Sequence, residues 1–432
     1  MRSGTAVCVV VATVAACSCG PTLPTDLDAV EADRAVLAES TVLAYLQAAH
    51  DRADLRVVDL FRDENLRFAR APDPSELFTE RHAEAEAVVP PAVAQKLRVV
   101  SYNLGLLDRA KILGFIDRVV VPELDVRRVA APDLILGRGD DVVLLQELWE
   151  LSDLDRFAEA ARRHGYRLWG GSVEQHPAHG LAILIREDVL DTQAGEEKQE
   201  VSYEVQYDLE NFPGPGFRRG YLSWRVTTAD GLTVHLFNTH TTAFPEHWRV
   251  RMAQVRQLGL AVRAVPAEDL VLVGGDFNSG AFYVDDTWTL GDGSTSSGWW
   301  NNAVAYPLLL HYGELRDLMV DARPARDVEL ALALPRHAAR SLETPYGVEG
   351  YCDRHAGQVF TATDCNSLYF RSYAGQEYPV RMDLLLVRAS SRAVYAASVD
   401  LIFVEKLEFE DAGRFELSDH YGVAADLRVG LP

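Results

Sequence analysis

The sequence predicts an α/β sandwich carrying a helical N-terminal extension. Short apolar runs, LRVVSYN, DVVLLQE, LAILIR, VHLFNTH, LVLVGGDFN and RMDLLLV, alternate with longer amphipathic segments beyond about residue 96. Runs so continuous suit central strands with both faces covered. The chain has 432 residues, 48% hydrophobic and 25% charged, enough for one large α/β domain with an extension or for two domains. There is no repeat of solenoid period and no long low-complexity tract.

The first element, residues 1–19, reads as an export leader. A single arginine precedes an apolar run too short to span a bilayer, and small residues follow. Val14-Ala15-Ala16-Cys17 resembles the lipobox of bacterial lipoproteins, in which the cysteine is acylated; a plain secretory signal is the alternative. Acylation of Cys17 would tether the protein to a membrane without spanning it. Residues 20–95 are then a tether (GPTLPTDL) and a helical extension, with Val30, Leu37, Val42, Leu43 and Leu46 at helical spacings. The stretch VVPPAVAQ closes it, and 96–432 reads as one α/β domain. Within that domain, residues 280–300 read as a surface loop and 335–380 as an irregular region.

Cysteine usage agrees with export. Cys8, Cys17 and Cys19 lie in the leader region, which leaves Cys352 and Cys365 to staple a local loop as a disulfide. A zinc site would need more ligands of suitable spacing, and no G-x-S-x-G elbow occurs for serine-hydrolase chemistry. Lys+Arg of 42 against Asp+Glu of 64 gives a formal charge of −22, which disfavours generic nucleic-acid binding unless a local basic cleft overrides it.

Five apolar runs end in polar residues that folding alone does not require. Val99-Val100 leads to Asn103, and the run ending at Leu145 leads to Gln146-Glu147. Leu236-Phe237 leads to Asn238-Thr239-His240, LVLVGG leads to Asp276 and Asn278, and FELSDHYGVAADL sets Asp419 and His420 before another apolar alternation. Strand alternation would point Asp276 and Asn278 the same way, although Gly, Asp and Asn are also the residues of a plain turn. Ligands collect where the strands of an α/β sheet end. His235, five residues from His240, falls on the opposite strand face and reads as packing.

The ordered set SYN, LLQE, NTH, GGDFN, RMD and SDH resembles the endonuclease/exonuclease/phosphatase superfamily over roughly residues 96–428. The resemblance implies a four-layer α/β/β/α sandwich of two mixed sheets. It implies a Mg²⁺ cofactor, with Mn²⁺ as a substitute, held by Glu147 beside Asn103 and with Asp419 nearby. Magnesium takes few protein carboxylates and completes its shell with water and substrate phosphate. By the same resemblance Asp276 and Asn278 position and deprotonate the attacking water and hold the phosphate. His420 contacts the phosphate and moves protons, Asp383 orients its ring, and His240 donates to the leaving oxygen.

The superfamily covers many substrates. Export, acidity and the motifs LSDHYGVAADL and EYPVRMDLLLV lean toward a membrane phospholipid, in the manner of bacterial neutral sphingomyelinases. Secreted bacterial sphingomyelinases carry an aromatic-tipped hairpin between the last two motifs; residues 389–416 show no paired aromatic tip, leaving Trp299-Trp300 to meet a membrane or to pack in the core. The alternative is an exported deoxyribonuclease-like endonuclease with a basic groove drawn from Arg218, Arg219, Arg249, Arg251, Arg336, Arg340 and Arg354. An inositol-phosphate phosphatase or a non-catalytic phospholigand-binding protein ranks lower.

Overall fold

The computed structural model describes residues 94–107, 109–112, 116–171, 178–206, 218–243, 248–280, 287–289, 295–297, 305–322, 361–362, 365–373, 381–388, 394–410 and 412–430. The leader, Cys17, the 28–87 extension, Trp299, Trp300 and Cys352 lie outside them.

In chain order the strands begin with β1 (Ala94–Asn103), β2 (Arg109–Ile112), β3 (Ile116–Val119), β4 (Val142–Gln146), β5 (Tyr166–Trp169) and β6 (Ala182–Arg186). Then come β7 (Glu197–Ser202), β8 (Gly220–Thr227), β9 (Thr233–His240), β10 (Leu270–Asp276), β11 (Thr287–Thr289) and β12 (Thr295–Ser297). The last are β13 (Leu315–Asp317), β14 (Asp383–Arg388), β15 (Val394–Ile402), β16 (Leu407–Phe409), β17 (Gly413–Phe415) and β18 (Gly422–Gly430). All six apolar runs of the sequence are strands.

Two six-stranded mixed sheets form, in the orders β15-β18-β1-β4-β6-β5 and β13-β14-β10-β9-β8-β7. Each holds one parallel pair, β1–β4 and β9–β10. Parallel neighbours need a crossover, and helices Leu124–Leu136 and Trp248–Arg263 supply the two.

Burial produces the layers. Helices Leu124–Leu136 and Leu151–His164 bury Ile135, Phe157 and Ala160 with Val100, Val143 and Leu145 on one face of the first sheet. On its other face Val99 and Leu144 join the second sheet, which itself carries Val255 and Leu258 of helix Trp248–Arg263. The result is helix, sheet, sheet, helix. Truncating a fully buried residue such as Leu144 to alanine would cost about 2–5 kcal/mol. Gly274 marks where the sheets approach: a Cβ there would lie 2.5 Å from Leu144 Cδ1 and 3.3 Å from Ser101 Cβ.

The residue range expected to be a plain surface loop contains the β11–β12 ribbon. Strands β16 and β17 pair as a short hairpin in which Phe409, at the turn end, and Phe415, at the open end, stack at 4.4 Å and are buried, while Glu410 is exposed. No helix among the described residues is long and apolar enough to cross a membrane.

Candidate active site

Register aligns the polar strand ends into rows. In the second sheet Asp276 pairs with His240 on one side and Asp383 on the other, so three adjacent strands present one side chain each at the same level. In the first sheet Asn103 pairs with Gln146, directly before Glu147. Gln146 Nε2 donates to Asn238 Oδ1 at 2.7 Å, and Asn238 Nδ2 donates to the carbonyls of Leu145 and Ala182, so buried amides pin the sheets together beneath the rows.

Asn103 joins the rows. Its Nδ2 donates to Asp276 Oδ2 at 2.9 Å and lies 3.4 Å from Glu147 Oε1, while its Oδ1 accepts the Gly105 N–H at 3.0 Å. His240 Nε2 stands 3.3 Å from the same Asp276 oxygen. His420 Nδ1 meets Asp383 Oδ2 at 2.8 Å, in a pair of which Asp383 is fully buried. Asp419 closes on the first row because Gly105 has no side chain. A Cβ there would fall 2.2 Å from Asp419 Oδ1, and the backbone sits at φ 56°. All eight residues expected from sequence therefore meet at one end of the sandwich.

Asn278 arrives differently from expectation. The strand ends at Asp276, Phe277 turns into the core, and Asn278 adopts φ 46°, so strand alternation does not set its direction. The Asn278 N–H donates to Asp276 Oδ1 at 2.8 Å and its Nδ2 donates to the Thr241 carbonyl at 3.2 Å. The turn and the site are the same structure. Glu147 also has positive φ, 62°, where the chain leaves β4. Both residues are held in a conformation that only surrounding structure can enforce, as functional positions often are.

Electrostatics separate the roles. Burial, with Asp383 adding and His420 opposing, pushes the Asp276 carboxyl up to about 7. Burial and then Asp419 push Glu147 up as well. Burial works against charge on His420, yet Asp383, by charge and hydrogen bond, lifts its pKa well above the ordinary imidazole value. His240 goes the other way: burial, then Arg219 and His420, hold it well below, so it is a neutral imidazole at pH 7.

Glu147 and Asp419 bring two carboxylates together, and the mutual repulsion that raises Glu147 is what a divalent cation would relieve; beside them Asn103 turns Nδ2 toward Glu147 while its Oδ1 accepts from Gly105. These residues fit such an ion. Asp276, Asp383 and His420 also offer ligand atoms within 4.8 Å of one another. There Asp383 and His420 already bond each other, and Asp276 bonds Asn103.

Several residues at the site escaped sequence reasoning or were noted only as groove candidates. Arg219 stacks over Trp149 at 5.1 Å, faces Glu147 and Asp276 electrostatically, and has Nη1 buried without a hydrogen-bond partner. Its only local signal is the pair of arginines before the β8 run. Thr361 Oγ1 accepts the N–H groups of Met382 and Asp383, and its carbonyl accepts from Tyr421, which brackets the His420–Asp383 pair. Nothing in the irregular region around it announces that role. Cys365, close by, is disulfide-bonded, and the Cys352 partnership remains our expectation.

The other histidines and arginines sort as packing and surface. His235 bonds Asp269 at 3.0 Å. Arg251 is fully buried and donates to the Thr242 carbonyl, so it is not available to a polyanion; Arg218 is exposed. Arg336, Arg340, Arg354 and the Arg249 side chain lie outside the described residues.

A family model described as Endonuclease/Exonuclease/phosphatase matches residues 100–420. No curated protein matches the chain. Among solved structures, TDP2 of D. rerio complexed with a single-strand DNA product is 18% identical, covering 77% of this chain and 99% of its own, with TM-score 0.48. An endonuclease/exonuclease/phosphatase family protein from Bacteroides thetaiotaomicron is also 18% identical, covering 78% and 99%, with TM-score 0.47. Sphingomyelinase C from Streptomyces griseocarneus is 17% identical, covering 77% and 99%, with TM-score 0.47.

Proposed function

The chain belongs to the endonuclease/exonuclease/phosphatase family, and from that premise we propose that it is a divalent-metal-dependent phosphodiester hydrolase acting on a choline-type membrane phospholipid. The observation that carries the reaction class is the pairing of a carboxyl raised to about 7, Asp276, with a cationic imidazole, His420, in one buried cluster. Two titratable groups pushed in opposite directions from their ordinary values are the mark of an acid and a base sharing one reaction.

Asp276, deprotonated near neutral pH, accepts a proton from the attacking water, and Asn103 and His240 hold its carboxylate in place. His420 presents its free Nε2 edge to the phosphate and supplies the proton that the leaving oxygen needs, with Asp383 stabilising the charged ring. His240 is tied to Asp276 and neutral, so we assign it to orienting the base rather than to protonating the leaving group. Arg219 is placed to neutralise a phosphate oxygen. Mg²⁺ or Mn²⁺ held by Glu147 and Asp419 beside Asn103 would supply Lewis-acid stabilisation of charge on the phosphate.

Net charge favours the phospholipid. A surface at −22 repels duplex DNA and anionic lipid alike, whereas a zwitterionic headgroup carries its own cation. Cys17 acylation and export would place the enzyme at such a surface. The test is a parallel assay with Mg²⁺ on sphingomyelin vesicles, phosphatidylcholine vesicles and supercoiled plasmid at moderate salt. We expect release of a phosphorylated headgroup and little nicking. Ready cleavage of DNA with both lipids untouched would overturn the substrate and leave the reaction class standing.

A further inference from the structure

Arg127 lies on the helix that crosses between β1 and β4, and its side chain is completely buried. Its five N–H donors all go to backbone carbonyls and none to a carboxylate. Nε donates to Pro122 at 2.9 Å. Nη1 donates to Leu104 at 2.8 Å and Leu417 at 3.3 Å, and Nη2 to Gly105 at 2.7 Å and Val121 at 3.4 Å. A buried guanidinium without a carboxylate partner is costly to desolvate and would not persist for packing alone.

Its acceptors explain the investment. Leu104 and Gly105 follow Asn103, and the Gly105 N–H in turn fixes Asn103 Oδ1. Leu417 precedes Ser418, Asp419 and His420. The rigid planar fork therefore grips the loop carrying Asn103 and the loop carrying Asp419 at once. Ser418 Oγ adds a second link between the same loops, donating to the Asn103 carbonyl at 2.7 Å. The carboxylates that the buried charge feels are Asp419 and, more weakly, Glu147, the two of the cation set.

We propose that Arg127 is a positioning residue, whose guanidinium fixes the spacing between the Asn103–Gly105 loop and the Leu417–His420 loop and so preforms the divalent-cation site. This rests on the metal reading given above. Asp419 approaches to where a Cβ on Gly105 would stand, and the clamp across both loops holds that distance without a bound ion. Lysine retains the charge but has three donors on a flexible stem, so it cannot reproduce the clamp.

The experiment measures Mn²⁺ affinity of the purified full-length protein, with thermal unfolding in EDTA as the fold control, for wild type, Arg127→Lys, Ser418→Ala and Glu147→Gln. Supporting partners of metal ligands are commonly worth about 10–100-fold in affinity, so Arg127→Lys should raise the Mn²⁺ Kd at least ~10-fold. The Mn²⁺ concentration for half-maximal activity should rise with it, while the pH profile of kcat at saturating Mn²⁺ stays in place. A folded Arg127→Lys protein with wild-type Mn²⁺ affinity overturns the proposal, whatever its melting temperature. Should that variant not fold, Arg127→Gln, which removes the fork and buries no charge, takes its place, and an unchanged Kd there overturns the clamp equally, while Ser418→Ala reports on the second link alone. If wild type binds Mn²⁺ no better than Glu147→Gln, the metal reading itself has failed, a result distinct from either.

Discussion

Replacing Asp383 by Asn tests the acid–base division most directly. In wild type, burial drives His420 toward neutrality, and Asp383 at 2.8 Å is the largest of the groups that reverse this, ahead of Asp419 and Asp276. Asparagine keeps the shape and removes the largest opposing charge, so the His420 pKa should fall. A group at the ordinary imidazole value of about 6.5 is about 3% protonated at pH 8, so a fall to that value would cost ~30-fold in kcat through loss of the acid. The assay is kcat against pH on a phospholipid with an alkoxide leaving group, at saturating Mn²⁺, beside an ester with a p-nitrophenolate leaving group. The alkaline limb should move to lower pH for the alkoxide, while the p-nitrophenyl ester, which needs no proton, should be much less affected. The pair also contributes stability present below about pH 6.5 and lost as pH rises through the raised folded pKa, so the variant should lose most of its margin on the acidic side. An alkaline limb that stays where wild type has it would remove His420 as the acid.

Further outcomes follow from the same geometry. Asp276→Ala and His420→Ala should each lower kcat by at least ~10²-fold with folding little changed, measured on the true substrate. EDTA should abolish activity and Mn²⁺ restore it, and Glu147→Gln should shift the metal titration; an unshifted titration would move the cation elsewhere. Gly105→Ala forces a left-handed alanine and a clash with Asp419, so calorimetry should show a loss of about 1–2 kcal/mol from the backbone alone. Cys17→Ser should release the protein from the membrane fraction or block its processing, and an unchanged distribution would make the leader an ordinary secretory signal.

What the sequence revealed and what it hid divide along physical lines. The central strands were legible because both faces are buried, leaving uninterrupted apolar runs, and the site residues because each such run ended in an oxygen or imidazole. Strands at the edges were not: β7 reads EKQEVS, three charges in six residues with none of them buried and no apolar run to find. Sheet order was hidden because β1 pairs with β18, more than three hundred residues away, and local pattern carries no information about such partners. Arg127 was hidden for a related reason. Beside it, Arg128 pairs with exposed Asp125 and buried Asp153, and nothing in the helical pattern distinguishes the arginine that pairs with carboxylates from the one that grips the site loops.

The residues gathered here would be a poor arrangement in any protein that did not use them. Glu147, Asp276, Asp383 and Asp419 are brought into one buried end, two site residues sit at positive φ, and an arginine is buried beneath with only carbonyls for partners. Each of these is unfavourable alone. They become consistent if the ionised carboxylates are the working state and a cation completes them. Without one, burial raises the pKa of both Glu147 and Asp276. A divalent ion would favour their ionised forms, so metal affinity and the readiness of Asp276 to act as base would be linked through one set of charges. The buried amides and arginines hold the geometry fixed across that exchange, leaving protonation rather than loop movement as the variable that the ion controls.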